Sequence, residues 1–529
     1  MNWSDLLQWE GSPLSQKAQE YEQQAQAVTN ASEDLSSRAS ALSGSGQTVT
    51  AVQQSLRKSV EDMRKQAEGL HSLATISGDA AKGADEIGNA ARTLDREAED
   101  MSFKIGADGS VDYVGKKAGS LIGGTQIMTK MAAVADTVSL IKFEADELVK
   151  DIQKNIAAVE SGGKPQTSGG GGSRLDRMKL PPEGASPDEV AKWWSSLTDA
   201  EKKEMVRRHP EEIGKMNGVE ATWRDKANRI NLAEDLKAER QKLKEQEEDA
   251  QRFPTPQKLL DLRQTRKRIT QMENVEKVLD KSSKDGVQRQ LVCFDSSDRD
   301  VLAAVTQGNI DTADHVAVNV PGMRSNLANN LDYYDSVSGL MRKNAEKHSN
   351  GQSVAVVTYM DYRAPQGLEE VTLNINYAKN GSDRLAGFLT GLDASREHGA
   401  GDAHITTVGH SFGSTTVGMA LTKIPPGVVD DSVQIGSPGS GVQDVSEFNI
   451  PKGHAYVGAA RYWDDMVQGF GDDGRFGKNP DTMPGYKHIS GDVAQDGYHG
   501  PIGRHSGYFN EGSPALDDIS RVIAGKEPK

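Results

Sequence analysis

From about residue 288 onward, short runs of aliphatic and β-branched residues recur, separated by helix-compatible segments. The runs are Leu291–Phe294, Val316–Val320, Val354–Tyr359, His404–Val408 and Val433–Ile435. Apolar runs that do not alternate with polar residues belong to strands covered on both faces. Strand alternating with helix implies a mostly parallel sheet joined by right-handed crossovers. This pattern places the C-terminal half in the α/β class.

The rest of the chain has a different texture. At 529 residues the protein is too long for one ordinary core, so several units are expected. Leu14, Ala18, Tyr21, Ala25, Val28, Ser32, Leu35, Ala39 and Leu42 follow one another at steps of four and three, with only Ser32 polar. Such a stripe buries itself against another helix. Gly44-Ser45-Gly46 interrupts it. A second stripe follows through Val49, Val52, Leu56, Met63, Ala67, Leu70 and Ala74. Together they predict an antiparallel helical hairpin. Asp108-Gly109 between Phe103 and Tyr113 signals a β-hairpin. Its carboxylates lack the spacing of a calcium loop. A further helix is expected to about Val159.

The glycine-rich stretch from Ser161 to Ser173 cannot bury apolar surface and marks a boundary. The expected organisation is a helical domain over 1–160, a linker over 161–174, a helical lead-in over 175–287 and the α/β domain over 288–529. In the lead-in, Ser186-Pro187-Asp188-Glu189 opens a helix with a capping serine and Pro at the first position. Charges alternate from Leu232 to about Asp280, which reads as a solvated helical hairpin.

Composition excludes several functions. The net charge of −15 opposes a nucleic-acid partner, because phosphate binding needs a basic face. The N-terminus, Met1-Asn2-Trp3-Ser4-Asp5, lacks the basic and apolar run of a signal peptide. The apolar stretch around Ile122 to Ile141 carries Lys130 and Asp136, so no transmembrane segment is expected. The single cysteine, Cys293, permits no intramolecular disulfide, which fits a reducing compartment. In its apolar run it reads as a core residue.

The chemistry concentrates at Gly409-His410-Ser411-Phe412-Gly413. A strand enters Gly-x-Ser-x-Gly and a small-residue helix leaves it, the pattern of a nucleophile elbow. Such a serine needs a histidine base and an acid that orients it, and in this arrangement they follow in the order serine, acid, histidine. The downstream histidines are His454, His488, His499 and His505; order alone slightly favours His505, in a Gly-bounded loop before the last helix, over His499. The acids near a strand end are Asp464 and Asp465. Oxyanion stabilisation requires backbone N–H donors. Phe412 supplies one, and Met323, after Val316–Val320 and Pro321-Gly322, is the candidate for the other. The same Pro-Gly segment also reads as an ordinary tight turn. No metal or cofactor is implied.

Several separate blocks then resemble one family, the actinobacterial α/β-hydrolases designated DUF1023. They are Trp193-Trp194-x-x-Leu197, Pro210-x-x-Ile213-Gly214, Asn217-Gly218-Val219, Arg224-Asp225-x-x-Asn228, Ala313–Val318 running into Val320-Pro321-Gly322, the elbow, and Gly436-Ser437-Pro438-Gly439. The resemblance covers about Pro181 to Phe509. The catalytic region is also similar to lipases and cutinase-like esterases. There an Asp-Pro-Val segment carries the acid, and Asp465-Met466-Val467 occupies that place, with Met466 for proline. A histidine near Ser-x-Tyr ends the family domain, and His505-Ser506-Gly507-Tyr508 matches it. The resemblance thus implies Ser411, Asp465 and His505 as a triad. The helical N-terminus is similar to WXG100-type hairpins, without Trp in the Gly44-Ser45-Gly46 turn. That similarity implies a helical partner or self-association through residues 1–160, and either a cytoplasmic protein or one exported by a type VII-like route without a signal peptide.

The expected function is a serine hydrolase of carboxylic esters, lipid or cell-envelope esters among them, acting through an acyl-serine. Two rivals stand beside it. One is a secretion-associated interaction or toxin-like protein on a non-catalytic hydrolase scaffold. The other is a peptidase or amidase on the same fold, which shares the acyl-enzyme chemistry.

Overall fold

The computed structural model describes all residues except 44–45, 116–120, 166–173, 461–464, 466, 469 and 494–503. The chain divides into two compact units, Met1–Leu180 and Pro181–Lys529.

The first unit is built on three long helices, Ser12–Ala41, Gln47–Asp100 and Leu121–Glu160. The heptad stripe of the first helix faces the second, and Ala25 is fully buried in the seam. Ser32, the polar break in the stripe, is also buried; its hydroxyl donates to the Thr29 carbonyl at 2.9 Å, so the seam holds no orphaned donor there. The apolar spacing continues far beyond Ala74, and the second helix accordingly runs unbroken for 54 residues. Of the expected turn, Gly44 and Ser45 lie outside the described residues. Asp108-Gly109 closes a hairpin of β1 (Phe103–Ile105) and β2 (Val111–Tyr113), with Phe103 opposite Tyr113. Phe103 packs with Trp3, Leu6, Ile87 and Val138 in a small core. Most of the expected linker, residues 166–173, is outside the described residues.

The second unit is an eight-stranded, mostly parallel sheet flanked by helices. Its strands are β3 (Leu291–Asp295), β4 (Leu302–Gln307), β5 (His315–Val320), β6 (Val354–Met360), β7 (His404–His410), β8 (Asp431–Ile435), β9 (Ala455–Gly458) and β10 (Lys487–Ile489). The order across the sheet is β10-β9-β8-β7-β5-β6-β4-β3. β4 runs antiparallel to both neighbours; every other pairing is parallel. Val316, Val318 and Val320 are fully buried in the central strand, and burying each such side chain contributes about 1.5–3 kcal/mol.

Helices Asn376–Glu397 and Phe412–Leu421 bury residues in the core on one face of the sheet. Helices Leu331–His348 and Pro514–Ile523 do so on the other. Ser186 and Glu189 form the expected capping box. The charged helices Ala221–Arg252 and Pro256–Leu279 differ from the solvated hairpin expected. Leu232, Leu236, Met272, Val275 and Val278 are buried with residues of β3 and β4. The apolar positions are spaced one per turn on one face, and alternating Lys and Glu mask that spacing in the sequence.

Candidate active site

The carboxyl ends of β5, β7, β8 and β9 share one edge of the sheet, the edge where open α/β sheets carry ligands. β7 ends at His410, and the helix Phe412–Leu421 begins two residues later. Ser411 is the whole junction. Its backbone has φ 57° and ψ −133°, a conformation that costs a non-glycine residue of order 1–3 kcal/mol and persists only where the surroundings enforce it. Here the Ser411 N–H donates to the Ile435 carbonyl at 3.0 Å, and its carbonyl accepts from the Ser414 N–H at 2.9 Å and hydroxyl at 2.6 Å.

The flanking glycines are required by space. A Cβ at Gly409 would stand 2.6 Å from Ser414 Cα, and one at Gly413 would stand 2.2 Å from the Val320 carbonyl oxygen. A third glycine closes over the serine. A Cβ at Gly322 would lie 2.5 Å from Ser411 Cβ and 2.9 Å from Ser411 Oγ. The turn after β5 therefore lies directly against the hydroxyl. Tyr362 fastens that turn by donating its hydroxyl to the Pro321 carbonyl. Among the described residues, neither the Met323 nor the Phe412 N–H has a hydrogen-bond acceptor. Phe412 is the first residue of its helix, where the N–H has no intrahelical partner.

Asp465 and His505 meet beside the turn that follows β8. His505 Nδ1 lies 2.9 Å from both Asp465 carboxylate oxygens. At Gly436 (φ 53°) a Cβ would approach Asp465 Oδ2 to 2.8 Å and His505 Nδ1 to 3.0 Å, so only glycine leaves room for the pair. Asp465 is fully buried. It also accepts from the Tyr508 hydroxyl at 2.8 Å and from the Val467 N–H at 3.0 Å. Burial pushes its carboxyl up, but the hydrogen bond and charge of His505, with Tyr508 and Val467, outweigh burial and hold it below the ordinary carboxylate value. Tyr508 in turn accepts from the Ala460 N–H at 3.0 Å.

His410 joins the serine and histidine segments. Its ring stacks on that of His505 with centroids 4.7 Å apart. Its Nε2 donates to the His505 carbonyl at 2.7 Å. Burial, with His505 beside it, pushes its pKa far down, so the ring is neutral at neutral pH. Ser411 and His505 themselves are not hydrogen-bonded, and such contacts often tighten only with substrate in place. Asp464 and His499, the competing acid and base, lie outside the described residues. Tyr362 was not singled out from sequence, and His410, Gly322 and Tyr508 stood there only as members of motifs, with no role of their own.

Residues 296–471 match the family model described as alpha/beta hydrolase, and the chain belongs to that family. The matched span includes Ser411 and Asp465 and ends before His505. Among curated proteins, the chain is similar to the uncharacterized protein Rv2079 of Mycobacterium tuberculosis, with 28% identity over 382 residues. That alignment covers 66% of this chain and 57% of the relative, so the chain spans little more than half of that protein's length. It is also similar to the uncharacterized proteins Rv0963c of Mycobacterium tuberculosis and Mb0988c of Mycobacterium bovis. Each is 31% identical over 203 residues, covering 37% of this chain and 73% of the relative. No helix among the described residues is long and apolar enough to cross a membrane.

Proposed function

We propose that the protein is a serine hydrolase that cleaves carboxylic esters through an acyl-serine intermediate. The observation that carries this reading is the Asp465–His505 pair lodged beside a strained, glycine-enclosed Ser411. Ser411 Oγ attacks the ester carbonyl while its proton passes to His505 Nε2. Asp465 orients the imidazole through Nδ1 and stabilises the imidazolium. The tetrahedral oxyanion is held by the Met323 and Phe412 N–H groups. His505 returns the proton to the departing alkoxide, and water then hydrolyses the acyl-serine by the same steps. The apolar groups exposed in the segments after β9 and β6, Phe470 at 68% and Leu368, which opens the helix Leu368–Leu373, at 63%, favour an ester with an apolar acyl chain, a lipid or cell-envelope ester.

For the helical unit we propose association with another helical chain. Leu14, Leu42 and Val52 remain more than a third exposed along the seam, which supports that role.

The test of the catalytic reading is labelling of the full chain with a fluorophosphonate probe, beside Ser411→Ala and His505→Ala. Labelling of the wild type that is lost in both variants is the expected result. Matched short esters and amides then separate esterase from amidase. A folded wild type that takes no label refutes the reading and leaves the non-catalytic scaffold as the better account.

A further inference from the structure

Three residues of the motif blocks between 210 and 228 play no part in the chemistry above, yet they converge on a single place. Gly214, Asn217 and Arg224 line a cavity of about 180 Å³ with Lys215, Asp361 and Arg384. That volume is about ten times the roughly 15 Å³ that admits one water. The cavity lies at the carboxyl end of β3 and just past the end of β6. Those are four strands and two strands from Ser411, or about 19 and 10 Å along the sheet edge at 4.8 Å per strand.

Its wall is electrostatically unbalanced. Arg224 is 5% exposed. Its guanidinium donates to the Gly214 carbonyl and the Asn217 side-chain oxygen, each at 3.2 Å, and to Cys293 Sγ at 3.6 Å, and it lies over the Phe388 ring. Among the described residues no carboxylate stands within salt-bridge distance of it. The two carboxylates nearby are engaged elsewhere: Arg384 donates to Asp361 Oδ1 at 2.6 Å and to Asp295 Oδ2 at 3.0 Å. Burial pushes the Cys293 thiol up, so it carries no compensating charge. The lining thus holds three cations, Lys215, Arg224 and Arg384, against two carboxylates, Asp295 and Asp361; Lys215, at the mouth, also pairs with Glu211 at 2.9 Å. Arg224 shares the charge of buried Asp361 with Arg384 and, among the described residues, has no carboxylate of its own in hydrogen-bond reach, and a guanidinium is the group best shaped to bind an oxyanion bidentately.

We propose that this cavity is a binding site for an oxyanion of the phosphate class, held by Arg224 and Lys215. The anion comes either from free phosphate or from a phosphate group on the remote end of a large ester substrate.

The decisive probe is inorganic phosphate, added at constant ionic strength to the full chain carrying Ser411→Ala, so that binding is read without catalysis. A saturable rise in the unfolding midpoint is expected. Lys215, which is exposed, is replaceable without touching the core. Lys215→Glu is expected to weaken phosphate binding about tenfold, a change of about 1.4 kcal/mol, and Arg224→Met to abolish it. If Arg224→Met does not fold, Lys215→Glu alone decides. Absence of a saturable shift in the tens of millimolar, or an undiminished shift in Lys215→Glu, overturns the proposal. The source is read in the active wild type. Competition by phosphate against a phosphorylated ester, with a neutral ester unaffected, assigns the site to the substrate. Stabilisation without any such competition assigns it to free phosphate. A failure of the esterase reading leaves the binding measurement intact.

Discussion

Gly322→Ala adds one methyl group beside the proposed nucleophile. The new carbon would stand 2.5 Å from Ser411 Cβ and 2.9 Å from both Ser411 Oγ and the His410 carbonyl oxygen. Carbon atoms settle at about 3.5–4.0 Å, so about 1 Å must be found. The turn cannot easily yield it, because Tyr362 holds the Pro321 carbonyl and the Gly322 carbonyl accepts from the Ser325 N–H at 3.3 Å. Ser411 cannot easily yield it either, since its strained backbone is tied to Ile435 and Ser414. Whichever gives way, Oγ loses about 1 Å of registration with the oxyanion donors. A misplacement of that size costs about 10²-fold in rate, equivalent to about 2.7 kcal/mol in barrier. Overpacking costs about 1–3 kcal/mol of stability besides, so the variant is expected to fold. The assay is kcat/KM on a p-nitrophenyl ester together with the rate of fluorophosphonate labelling, each paired with a thermal melt. Gly367→Ala is the control, because a Cβ there meets nothing within 4 Å. A folded Gly322→Ala protein that labels within about threefold of the wild-type rate would show that the turn does not press on the reacting serine, and the steric reasoning would be wrong.

Asp465→Asn should leave His505 in place but without its carboxylate, lowering kcat by about 10³–10⁴-fold in the same ester assay. Because the Asp465 carboxyl is held below its ordinary value, its stabilising contribution is complete above the unfolded value of about 3.9 and is lost as pH falls through the lower folded value. Acid unfolding followed by circular dichroism should therefore be less steep below about pH 4 in Asp465→Asn; an identical slope would refute this. His410→Leu removes the donor to the His505 carbonyl, and leaving that carbonyl unpaired is expected to cost about 1–3 kcal/mol. Labelling should slow while the pH dependence of labelling keeps its form; an unchanged labelling rate counts against a positioning role. Arg289 and Asp335, 3% and 2% exposed, are hydrogen-bonded at 3.0 Å. Arg289→Met removes one of the two cations on buried Asp335, leaving Lys281 at 2.9 Å, and should lower stability by about 1–3 kcal/mol, measured by denaturant unfolding.

The elbow was legible in the sequence because the constraint there is local: a buried strand, two glycines without which Cβ atoms would collide, and a small-residue helix stand within a few positions of each other. The central strands were legible for the same reason, since burial on both faces leaves an unbroken aliphatic run. β10, of three residues, is too short to leave a pattern, and β4 ends in Thr306 and Gln307, both buried polar groups. The buried face of the charged hairpin was hidden because its apolar residues are outnumbered by Lys and Glu on the other faces. Tyr508 and His410 act through contacts across 43 and 95 positions, and no local spacing encodes such a meeting.

The hydrogen bond from His410 to the His505 carbonyl sets how the site tolerates motion. His410 is the residue that precedes the proposed nucleophile, and the carbonyl it grips belongs to the proposed base itself. A displacement of the end of β7 therefore carries both partners along rather than pulling one from the other. Alignment of the reacting pair is in this way separated from the position of the sheet edge, and breathing of the sheet reaches the pair as a shared translation.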